Sequence, residues 1–135
     1  MRLITWSALV IFTMLSSPGE ARESGAEAAC IALPTAAQSG CLEKLVTAAD
    51  TRLNEVYQRA MAMIDKSGGA DVAAWKAELK KAQQAWISFR DTDCGALIGY
   101  EWGHGTGMGS ATESCLLHKT EQRSRELVDR YIHRR

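Results

Sequence analysis

The sequence predicts an all-α protein: a small disulfide-stapled bundle of three main helices, with a long glycine-rich loop between the second and third. Three observations carry this. Apolar residues recur at three- and four-residue spacing over two long stretches and a shorter third. Glycine clusters and capping residues separate those stretches, and no period-two alternation competes with them. Four cysteines, Cys30, Cys41, Cys94 and Cys115, fall beside the ends of the helical stretches.

Residues 1–21 read as a secretory signal peptide. Arg2 supplies the basic start, Leu3 to Leu15 the apolar core, and Gly19 and Ala21 the small residues of a cleavage site. Cleavage is expected after Ala21, with Ala26 and Ala28 as alternatives. The apolar run is short for a membrane span. Cys30 lies too far beyond it, with Glu27 in the wrong place, for a lipid anchor. Residues 22–34 are small and polar, and read as a flexible lead-in to a helical domain over 35–135.

The first main helix is expected to run to about Lys66. Leu42, Leu45, Val46, Ala49, Leu53, Val56, Ala60 and Ile64 make its apolar face. Thr35 with Gln38 resembles a capping box, although Gly40 weakens a helix there, so the start lies either at Thr35 or near Cys41. Ser67-Gly68-Gly69 ends it, because glycine takes the left-handed cap without strain. Asp71 suits the N-cap of a second helix reaching Asp93. Its expected seam is Val72, Trp75, Leu79, Ala82, Trp86 and Phe89, with Gln83, Trp86 and Arg90 as an adjoining stripe.

Gly95 to Gly109 carries six glycines around Tyr100, Glu101, Trp102 and His104. Ser110 to Glu113 is a second capping box, opening a helix through Leu116, Leu117, Thr120, Arg123, Ser124, Leu127 and Tyr131. Up-down-up topology brings Cys41, Cys94 and Cys115 to one pole, within reach of Cys30. All three pairings are possible there. Cys30–Cys41 with Cys94–Cys115 is favoured, since each bridge closes a short segment beside its own helix. An even cysteine count in an exported chain implies two disulfides.

Beyond the leader the chain holds 15 basic and 15 acidic residues. That balance argues against a nucleic-acid partner and offers no general attraction to a cationic target. Asp91 and Asp93 do not share a helix face, and His104, His118 and His133 lack metal-ligand spacing. The glycines from Gly103 to Gly109 have no preceding strand and no Gly-Lys-Ser, so they make no nucleotide loop. No nucleophile and base are grouped, so the expectation is a non-enzyme without metal or cofactor. Asp50, Asn54, Arg90 and Arg123 border apolar faces and are expected to form a structural polar network that sets helix register. Tyr100, Glu101, Trp102 and His104 are the partner-binding candidates, because aromatics on a disulfide-closed base suit recognition. The alternative is that both rings fold back over the core.

The segments Ala49 to Tyr57 (ADTRLNEVY) and Ala82 to Asp91 (AQQAWISFRD), followed by Cys94, the Gly107-Met108-Gly109-Ser110 run, Cys115, Thr120, Arg123 and Leu127, resemble the LprI-type lysozyme-inhibitor domain family. These are small exported bacterial proteins, formerly a domain of unknown function. The resemblance runs from about Cys30 to Leu127. It implies an exported, disulfide-bonded helical domain, periplasmic or secreted. It also implies a protein partner, a lysozyme-like glycosidase that attacks peptidoglycan, blocked by occlusion of its cleft. No membrane association is expected after the leader is removed. The competing expectation is a structural or stress-related envelope protein with no enzyme target.

Overall fold

A computed structural model describes residues 18–133, with side chains from Gly25 onward. Most of the expected leader, 1–21, therefore lies outside the described residues. Among those described there is no strand. The elements are α1 (Pro18–Ile31), α2 (Thr35–Ser67), α3 (Val72–Thr92), α4 (Ile98–Glu101) and α5 (Met108–Leu127). Two π-helical turns, Asp93–Leu97 and Val128–Ile132, extend α3 and α5.

The expected three main helices are α2, α3 and α5, but the count is corrected by α1 and α4. Residues 22–34, expected as a flexible lead-in, are helical as far as Ile31. Periodicity did not reveal α1 because it is tethered rather than broadly buried. Cys30 is buried and bonded to Cys41, with Cα atoms 5.5 Å apart. Glu27 Oε2 also lies 2.7 Å from His118 Nε2 on α5. The Gln38 amide donates to the carbonyls of Ile31 and Leu33, at 2.8 and 2.9 Å. It thus satisfies the orphan acceptors at the end of α1 instead of closing a capping box with Thr35.

α2 begins at Thr35 and passes through Gly40 without a break. Its buried face is Leu42, Val46, Ala49, Leu53, Val56, Ala60 and Ile64, as the periodicity predicts. It ends where Gly68 and Gly69 take φ of 68° and 104°, the left-handed region that β-carbons disfavour. Asp65 and Asp50 of α2 meet Lys76 and Arg90 of α3, so these two helices run antiparallel. Asp50 faces Thr120, and Ser39 faces Gly109, so α2 and α5 run parallel.

α2 packs more extensively on α5 than on its sequence neighbour α3. The facing residues explain this: Ala49, Ala60, Thr120 and Ser124 are small, and all are buried, so the backbones approach closely. One core cluster joins Leu53, Val56, Ala60, Ile64, Leu79, Leu127 and Tyr131; a second joins Val46, Ala49 and Leu117 near the disulfide end.

The seam expected on α3 is rotated. Only Leu79 and Gln83 of this helix are buried; Trp75, Ala82 and Phe89 are exposed. The inward line is Leu79, Gln83, Trp86 and Arg90. The stripe that reads as a border is the contact face, because α5 offers hydroxyls and Arg123 there rather than a further apolar row.

Candidate functional site

Two constructions stand out: a polar layer inside the middle of the bundle and a compact tip outside its disulfide end. In the layer, Arg90 Nη1 donates to Asp50 Oδ1 at 2.6 Å and to Thr120 Oγ1 at 3.0 Å. Asp91 Oδ1 takes another N–H of the same guanidinium at 3.0 Å. Arg123 Nε donates to Gln83 Oε1 at 3.0 Å, and Ser124 Oγ to the Thr120 carbonyl at 3.1 Å. Both guanidiniums lie by the Trp86 ring, at 5.3 Å for Arg90 and 5.9 Å for Arg123. No buried side-chain polar atom lacks a partner among the described residues. A layer with every group satisfied adds rigidity and register without leaving a reactive charge.

Asn54, expected in that network, stands outside it. It is exposed beside Thr51, Glu55, Gln58 and Arg59 on the outer side of α2, away from the layer. Gln83, Trp86 and Thr120 take its place. Their signal was the three-and-four spacing of Gln83, Trp86 and Arg90. Thr120 stood on the expected row of the third helix, but only the packing of α5 on α2 brings it to Asp50.

The tip corrects the expectation of a long loop from Gly95 to Gly109. The π-turn and α4 carry helical structure through Glu101, leaving only 102–107 between helices. The end of α4 is a Schellman cap: Gly103 N–H donates to the Tyr100 carbonyl at 3.2 Å, and His104 N–H to the Gly99 carbonyl at 3.0 Å. Gly103 and His104 both have left-handed φ, 57° and 55°. The Trp102 ring rests on Gly107 so closely that a Cβ there would lie 2.7 Å from its Cζ3. The His104 ring sits against Gly99 in the same way, and meets Tyr100 edge-on at 5.8 Å between centroids. Glycines 99 and 107 thus act as seats for rings rather than as sources of mobility.

Tyr100 and Trp102 stay largely in solvent, 77% and 52% exposed, with Glu101 and His104 exposed beside them. The tip stands on the Cys94–Cys115 disulfide, whose Cα atoms are 5.4 Å apart. Asp93 lies near both sulfurs, but a disulfide sulfur is no thiolate ligand, and Asp93 pairs with Lys119 at 2.8 Å. On α5, partial burial and the nearby Glu43 carboxylate raise the Glu113 pKa above its ordinary 4.5.

These features define a class: a small helical domain, closed by two disulfides, that presents a pre-ordered aromatic tip. The chain belongs to the LprI lysozyme inhibitor family, whose model matches residues 27–127. That span takes in both disulfides, the polar layer and the tip. A protein of Rhizobium meliloti (strain 1021), described as uncharacterized, is 38% identical over 95 residues, covering 66% of this chain and 68% of its own. No solved structure matches. No described helix is long and apolar enough to cross a membrane.

Proposed function

We propose that this is an exported binding protein, periplasmic or secreted, that inhibits a peptidoglycan-degrading muramidase by seating its tip in the enzyme's cleft. Family membership supports a lysozyme-inhibitor-like role, and two disulfides suit an oxidising compartment. The observation that carries the occlusion reading is the exposure of Tyr100 and Trp102 on a capped, disulfide-based turn. Rings held rigid before contact lose little entropy on binding, which is what an inhibitor that blocks by shape requires. Glu101 and His104 flank those rings and supply hydrogen-bonding groups to a sugar-binding cleft. A purely structural envelope protein would gain nothing from leaving such rings in water.

A cell-wall lysis assay tests this. The oxidised protein is titrated against several types of muramidase, beside a reduced sample and a variant with 100–104 replaced by a Gly-Ser sequence. Stoichiometric inhibition by the oxidised protein, lost in both other samples, is expected. Inhibition undiminished by the tip replacement refutes occlusion by this tip; no inhibition of any muramidase refutes the wider reading.

A further inference from the structure

The neutral overall balance conceals a separation of charge along the bundle. Asp50, Arg90 and Thr120 touch, so they mark one cross-section through α2, α3 and α5. On the disulfide side of it, residues 25–50 and 90–119 hold seven carboxylates against three Lys or Arg. On the other side, residues 51–89 and 120–133 hold seven carboxylates against nine. α2 has 33 residues, so it is about 50 Å long, and each half exceeds the Debye length of about 8 Å at physiological salt. The two ends therefore present separate fields to an approaching molecule.

The acidic end is also where apolar surface is concentrated. Five of the nine large apolar side chains exposed among the described residues, Ile31, Leu33, Leu97, Tyr100 and Trp102, belong to it. A second observation locates the excess: Asp50, Asp91, Asp93 and Glu27 pair with Arg90, Lys119 and His118, so the surplus negative charge falls on Glu43, Glu101 and Glu113, and the register that sets Ser39 by Gly109 and Asp50 by Thr120 places Glu43 level with Glu113. We infer that the disulfide end, with the tip Tyr100 to Trp102 at its centre and Glu43 of α2 and Glu101 of the tip as acidic groups, docks onto a basic protein surface. This rests on the reading of a muramidase partner, and specifies that the partner is a cationic one. Attraction by the acidic field raises the encounter rate, and the aromatic tip supplies the short-range contact.

The experiment measures association and dissociation rates of the oxidised full chain on immobilised muramidases of high and of low isoelectric point. Salt is varied from about 0.02 to about 0.3 M, a range over which screening of exposed charge is strong. Variants Glu43→Lys and Glu101→Lys reverse charge at the acidic end, and Lys80→Glu at the other. The expected result is binding to the basic muramidase with an association rate that falls about tenfold over the salt range. Each acidic-end reversal should slow it several-fold, and Lys80→Glu should not. Binding that ignores salt and all three reversals overturns this inference while leaving the muramidase reading standing. Binding to neither muramidase overturns both. Salt-sensitive self-association in sedimentation, lost in Glu101→Lys and in Lys80→Glu alike, overturns it in favour of head-to-tail pairing of two copies.

Discussion

Removing Asp50 from the polar layer tests how the three long helices are locked in register. The Arg90 side chain is only 13% exposed, whereas that of Asp50 is 42% exposed. Breaking a fully buried pair costs about 3–5 kcal/mol; an exposed pair contributes about 0–1 kcal/mol. This pair lies between the two, and after Asp50→Ala the guanidinium keeps Asp91, Thr120 and the Trp86 ring. The expected cost is therefore about 2 kcal/mol. Arg90→Met should cost about the same, since the freed carboxylate rehydrates but the Thr120 contact and the stacking on Trp86 are lost. The double variant leaves no unpaired charge inside the layer, since the freed Asp91 carboxylate is 55% exposed and hydrates, and it should cost about 3 kcal/mol, giving a coupling near 1 kcal/mol. Urea unfolding with the disulfides intact measures all four free energies, and melting should fall by about 4 °C per kcal/mol in a domain this size. A coupling below about 0.5 kcal/mol would mean the two changes act independently, and would refute the register lock.

Two further outcomes follow from the same geometry. Glu113 has a raised pKa through burial and Glu43, so the folded state binds its proton more tightly than the unfolded state. Its ionisation destabilises the fold increasingly as pH rises from below 4.5 through the raised value, and the full penalty remains above it. Glu113→Gln should accordingly raise the melting temperature at neutral pH, with the gain shrinking towards zero in acid; a gain independent of pH would contradict this. Gly107→Ala puts a Cβ into the Trp102 ring, so it should displace that ring, shift tryptophan emission and leave helix content unchanged. An unaltered emission spectrum would show that Trp102 does not depend on its glycine seat.

Much of the fold was legible from local chemistry. The apolar face of α2 and its Gly68-Gly69 stop needed no tertiary information, because helical spacing and left-handed caps are properties of neighbouring residues. The all-α class and the even cysteine count followed in the same way, and the favoured pairing is the one found. Three matters were decided only by the folded molecule. On α3, two overlapping stripes are equally helical, and the polar contacts offered by α5 chose Gln83 and Arg90 over Ala82 and Phe89. Between Gly95 and Gly109, six glycines outweighed helix propensity on paper, yet the Cys94–Cys115 bridge and the ring seats hold the backbone in helix and cap. The separation of charge was invisible for a third reason. Residues distant in sequence share an end of the bundle, and net charge sums over the chain while an approaching partner meets one end at a time.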